Sequence, residues 1–228
     1  MNTAMKKISL SNLKLLTVSD EDKESYYGCS QQWYGTERQR LCGCGPSVAC
    51  GIIWYLSHYL GLSQQGFLTS KDACLKLMEE VWKFMTPSTE GIPSTTIFYE
   101  NVLAYANARG LKLEPRFCDI PSNEFVRPDL KKVVNFIEGG LSQNSPIAFL
   151  NLCNGEEDNL EEWHWVTIVS LEWSGRGERA LVDIYDMGLI KKADLSLWYK
   201  TTTLGGGFVY FTPVNKISKQ HPQKQICD

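Results

Sequence analysis

The residues in this chain best placed to do chemistry are a cysteine at the mouth of a helix, a histidine opening a strand and an aspartate closing the next one. The chain has only three histidines, which makes the base easy to search for. His221 lies in a polar tail. His58 follows Cys44 on one helical pattern, about 14 residues on, so at ~1.5 Å per residue it stands roughly 21 Å away along the axis. That leaves His164, between Trp163 and Trp165. A lone strand histidine is ordinarily a half-buried residue with one satisfied hydrogen bond, so His164 needs partners before it reads as a base.

The next strand offers one. His164–Glu172 and Arg179–Asp186 are rich in β-branched and aromatic residues, and the stretch between them, 173–178, holds two glycines and reads as a hairpin loop. A hairpin centred on Gly175 pairs His164 with Asp186 and Val166 with Ile184, all on one face. A carboxylate there would accept the Nδ1–H of the imidazole and leave Nε2 free as the base. A shift of one residue would set His164 opposite Tyr185 or Met187 instead. Asp183 falls on the other face.

The nucleophile is sought among eight cysteines. Cys44 stands in Cys42-Gly43-Cys44-Gly45-Pro46-Ser47, just before a buried helical pattern of Val48, Ala49, Ile52, Ile53, Leu56, Tyr59 and Leu60. Pro46 suits the first turn, where its missing N–H costs nothing. A thiol at that end meets the positive pole of the helix and its free N–H groups, which favours the thiolate. Cys42 lies outside this field. The flanking glycines let a carbonyl approach the backbone. An oxyanion needs a donor besides the cysteine's own N–H, and Gln31, Gln32 and Gln39 lie upstream.

Around these residues the pattern is helical first and stranded second. Helices fit about 70–84, 94–108 and 128–139; strands fit 111–117, 146–152, 164–172, 179–186 and 207–213. Residues 26–43 lack helical periodicity and read as an ordered loop, 1–25 as a peripheral segment and 218–228 as a loose tail. The fold class is α+β, a single domain over 1–228 with a helical N-terminal lobe and an antiparallel sheet C-terminal lobe.

The bulk numbers fit an ordinary globular enzyme. With 228 residues and 43% hydrophobic content the chain can bury a core. A net charge of -3 points to no nucleic-acid or anionic-membrane partner. No apolar run approaches a membrane span, and Ser9, Ser11, Asn12 and Lys14 break any leader-like core, so a cytoplasmic location with reduced thiols is expected. Zinc sites usually announce themselves as paired ligand doublets; only Cys42 and Cys44 are close, so no metal and no cofactor are expected.

At these residues the chain resembles the papain-like cysteine peptidase superfamily, and within it the bacterial double-glycine leader peptidases. Their CGP motif matches Cys44-Gly45-Pro46, their His-Trp-Val matches His164-Trp165-Val166, and their strand-borne Asp near a Gly matches Asp186-Met187-Gly188. A Gly-x-x-Gln-x-Trp pattern matches Gly28 to Trp33 and points to Gln31. The resemblance implies a Cys44–His164–Asp186 triad with Gln31 at the oxyanion, acting on a peptide or protein substrate. The glutamine stands 13 positions before Cys44, further than the usual short spacing, which keeps Gln39 as a rival. An amidase or acyl transferase would use the same triad, and a non-catalytic binding module is the third possibility.

Overall fold

A computed structural model describes residues 5–22, 24–61, 70–174 and 179–214. Gly175, His221, Cys227 and the tail 218–228 lie outside the described residues. The first strands are β1 (Met5–Ser9), β2 (Thr17–Ser19) and β3 (Ser25–Tyr27). The helices α1 (Glu37–Cys42), α2 (Cys44–Tyr59), α3 (Lys71–Trp82) and α4 (Thr95–Ala108) follow. Then come β4 (Leu113–Ile120), α5 (Leu130–Ser142), β5 (Ile147–Asn151), β6 (His164–Ser174), β7 (Ala180–Asp186), β8 (Leu189–Asp194), α6 (Leu195–Thr201) and β9 (Gly206–Pro213).

The main sheet is antiparallel, in the order β4-β9-β5-β6-β7-β8, with β1 paired to the outer half of β6. β2 and β3 form a separate ribbon. Buried residues run almost unbroken along β5 and β6 because α2 and α5 both pack on these strands. Trp165 anchors the helical side: its ring stacks on Phe98 of α4 at 4.2 Å and its Nε1 donates to the Ile92 carbonyl. α2 is buried through most of its length, as its apolar pattern predicts.

Three expectations change. The described part of the segment 1–25 is not peripheral. Its outer residues extend the sheet, and Leu10, Leu15, Leu16 and Val18 are buried in the core. Its polar look came from an edge strand whose exposed face needs no apolar residues. The stretch 26–43 is not loop throughout. α1 forms within it because Thr36 and Gln39 make a reciprocal capping box, with Thr36 Oγ1 accepting from Gln39 N. The sheet also draws on the chain ahead of β5: β1 joins it, and so does β4, which overlaps the strand expected at 111–117.

The β6–β7 register is the change that matters most for the site. Ser170 pairs with Asp183 and Leu171 with Val182, whereas Ile168 pairs with Ile184 and Thr167 with Tyr185. Val169 is the extra residue of a β-bulge between these two halves. Inward of the bulge, Asp186 aligns with Val166, not with His164 as a hairpin centred on Gly175 requires. The two-residue difference keeps Asp186 on the His164 face. Without the bulge, Asp186 would align with Thr167 and point away.

Candidate active site

Cys44 is the first residue of α2, and its N-cap Gly43 offers no side chain to the free amides of that turn. Only glycine fits at position 43: a Cβ there would overlap the Gln39 carbonyl oxygen and lie 2.8 Å from the Tyr34 ring. The first turn of α2 is therefore left without a side-chain cap, beside a buried thiol.

His164 and Asp186 are also buried. Asp186 Oδ1 lies 2.7 Å from His164 Nε2. The acid thus sits on Nε2 and not on Nδ1, the nitrogen expected from a directly paired hairpin. The aspartate stands two residues along the partner strand, and the far ring nitrogen is the one that reaches it. Cys44 lines the same cleft and acts electrostatically on the ring, and with Nε2 engaged by Asp186 the nitrogen left for it is Nδ1. Asp186 Oδ2 accepts from Lys191 Nζ at 2.7 Å, so both carboxylate oxygens are bound.

The electrostatics follow from this chain of contacts. Burial pulls the His164 pKa down, but the hydrogen bonds and charges of Asp186 and Cys44 outweigh it and raise it to about 10. Burial pushes Asp186 up, but His164 and Lys191 outweigh it and hold its carboxyl below the ordinary 3.8. The imidazolium and the carboxylate are thus the favoured forms at neutral pH.

The backbone flanking both residues is unusual. Trp163, just before His164, has φ 52°, and Met187, just after Asp186, has φ 48°. Bulky residues rarely adopt this region, and it clusters at functional sites. Met187 and Gly188 (φ 82°) are the two central residues of the β7–β8 turn, between the paired Asp186 and Leu189, and both have the positive φ that a type I′ turn requires.

Among the three glutamines, Gln31 lines the cleft with Cys44 and His164. Its Nε2 donates one hydrogen to the Arg40 carbonyl at 2.8 Å and retains a second; its Oε1 has no partner among the described residues. Gln32 is exposed. Gln39 is committed elsewhere: its Nε2 donates to both Glu79 carboxylate oxygens, and its Oε1 accepts from Thr36. The loop that carries Gln31 is pinned next to the acid, since Tyr27 N donates to the Gly188 carbonyl and Gly28 N to the Leu16 carbonyl.

His58 contacts the Trp54 carbonyl and ring within α2 and does not line the cleft. Cys42 is half-buried. With Cys44, Leu41, Glu90 and the 54% exposed Trp163 it lines a groove of about 420 Å³. Residues 156–162, just before His164, hold five acidic side chains, of which Glu157 is structural: it is buried, and its carboxylate accepts from Asp194 N and Asn159 N. Sequence reasoning missed Lys191. Reading Met187-Gly188 as a tight turn would have found it, because the returning strand brings it back beside Asp186.

No family model matches the chain, and no curated protein matches it by sequence. In fold it is similar to UfSP from C. elegans. The TM-score is 0.55 at 12% identity over 94% of this chain, and the match spans 35% of the UfSP chain. The helices and antiparallel sheet that bring Cys44, His164 and Asp186 into one cleft thus form an α+β architecture of the papain-like kind.

Proposed function

We propose that this protein is a thiol hydrolase that cleaves a peptide or isopeptide bond through a Cys44–His164–Asp186 triad. The single observation that carries this reading is the buried His164, held between Asp186 and Cys44. In the reaction, the Cys44 thiolate attacks the carbonyl carbon. The oxyanion takes N–H groups from the uncapped start of α2 and from the spare hydrogen of Gln31 Nε2. The His164 imidazolium gives its Nδ1 proton to the leaving amine, which departs and leaves a thioester on Cys44. Neutral His164 then takes a proton from water, whose oxygen attacks the thioester and releases the acid. Asp186 stays ionised throughout and stabilises the imidazolium. No cofactor enters these steps.

A polypeptide substrate is supported by the groove beside Cys44, which lies in the size range of ligand sites. It is also supported by the CGP and His-Trp-Val likeness to double-glycine leader peptidases. The test is labelling with an epoxysuccinyl peptide or with iodoacetamide at mildly acidic pH, followed by peptide mapping. We expect the adduct on Cys44, loss of peptide cleavage in Cys44→Ala and retained cleavage in Cys42→Ala. Labelling mainly on Cys42, or cleavage that survives Cys44→Ala, overturns the assignment.

A further inference from the structure

Behind the cleft, three cysteines from three separate elements converge. Cys29 follows β3, Cys50 lies in α2 and Cys74 lies in α3. Their sulfurs all lie within 4.8 Å of one another. Cys29 Sγ is 3.5 Å from Cys50 Sγ and 2.8 Å from Cys74 Sγ. Cys50 and Cys74 are buried, and Cys29 is half-buried. None of the three is needed for the chemistry proposed at Cys44.

A second observation concerns the space beside them. All three cysteines line one small cavity of about 10 Å³, roughly the room that a single water-sized occupant requires. Its other side-chain walls are apolar, from Leu15, Leu16, Val18 and Trp54. The Trp54 Nε1–H is already spent on the Leu15 carbonyl. An occupant would therefore meet sulfur and hydrocarbon. Water needs two to four polar partners, which this lining supplies poorly, whereas thiolates select soft thiophilic ions.

We propose that Cys29, Cys50 and Cys74 form a three-sulfur site for a single soft metal ion, with Zn(II) as the probe. At about 2.3 Å from each sulfur, an ion holds neighbouring sulfurs roughly 3.8–4.0 Å apart. Cys29 and Cys50 already stand close to that spacing. Cys29 and Cys74 must part by about 1 Å, a small side-chain rotation. As each metal–sulfur bond forms, the thiol proton leaves to solvent, and three thiolates with one divalent ion carry a net charge of about -1. The spacing of 21 and 24 residues between these cysteines hides the site from any search for ligand doublets. The ion would tie the loop before Gln31 to both α2 and α3, a positioning role and not a catalytic one.

The experiment loads the reduced, chelator-stripped full chain with Zn(II) and measures bound metal after dialysis. It is run in a Cys42→Ala, Cys44→Ala background so that the cleft thiols contribute nothing. We expect one equivalent bound and a zinc-edge X-ray absorption first shell of three sulfurs at about 2.3 Å. Uptake should be lost in Cys50→Ser and Cys74→Ser. If those variants do not fold, the absorption spectrum of the cysteine-intact site decides alone. Absence of uptake, a first shell of only nitrogen and oxygen, or stoichiometric binding that survives both serine substitutions overturns the site. So does a Cys29–Cys74 disulfide in protein that takes up no zinc.

Discussion

His164 carries the strongest consequence at the scale of single residues. Its pKa rises in the folded state from 6.5 to about 10, so the stability it contributes is fully present below about 6.5 and is lost as pH climbs through about 10. Asp186 is shifted the other way, so its contribution is present above its ordinary value of 3.8 and is lost as pH falls through its lowered one. The folded pair is therefore most secure between those limits. Asp186→Asn keeps the shape but removes the charge that holds the imidazolium. We expect kcat/KM to fall by about 10²–10⁴-fold, with the alkaline limb of its pH profile moving down toward the ordinary histidine value. Unchanged turnover and an unmoved limb would show that Asp186 does not orient His164. That Cys44, His164 and Asp186 could share one cleft was readable in the chain because few histidines compete and because Cys44 precedes an apolar helix. The choice of ring nitrogen was not, since it depends on a two-residue offset across the sheet. Gln31 was separable from Gln39 only once the capping box of α1 was visible, because both are glutamines in a stretch without periodicity.

At the scale of elements, the turn after β7 decides where the acid sits. Gly188 has φ 82°, and a Cβ there would lie 3.1 Å from the Tyr26 ring. Gly188→Ala should therefore lower stability by about 1–2 kcal/mol and reduce activity by loosening Asp186. Met187→Gly at the neighbouring positive φ should instead raise stability by up to about 1 kcal/mol. Urea unfolding of the two variants checks this; equal midpoints would mean that the turn stores no strain. The long helices α2, α3 and α4 were legible from their apolar spacing, with which the N-caps Ser70 of α3 and Ser94 of α4 agree. β8 and α6 were not, since Leu189–Asp194 exposes both leading apolar residues and α6 is only 7 residues long.

At the scale of the whole molecule, the N-terminal segment is part of the fold. Leu10 is 3% exposed, and its N–H donates to the Val169 carbonyl at the bulge. Leu10→Ala should cost about 2–5 kcal/mol, read as a lower urea midpoint with an unchanged slope. A neutral result would return the segment to the periphery. That segment lacked a legible pattern because its apolar residues are spread over a short strand and a 3-10 turn, with neither period repeated. No helix among the described residues is long and apolar enough to cross a membrane. The bulge at Val169 reaches furthest. The face a side chain takes in a sheet is a matter of odd or even count, so a single added residue separates a sheet that closes its core from one that also brings a carboxylate to a buried histidine. Loss or gain of one residue between His164 and Ser170, or between Asp183 and Asp186, would turn the carboxylate to the far side while leaving composition, motifs and most of the core unchanged. Two residues would restore it. A relative that keeps Cys, His and Asp but differs in length by one position inside this ladder would look intact in a motif search and lack the contact between its histidine and its aspartate.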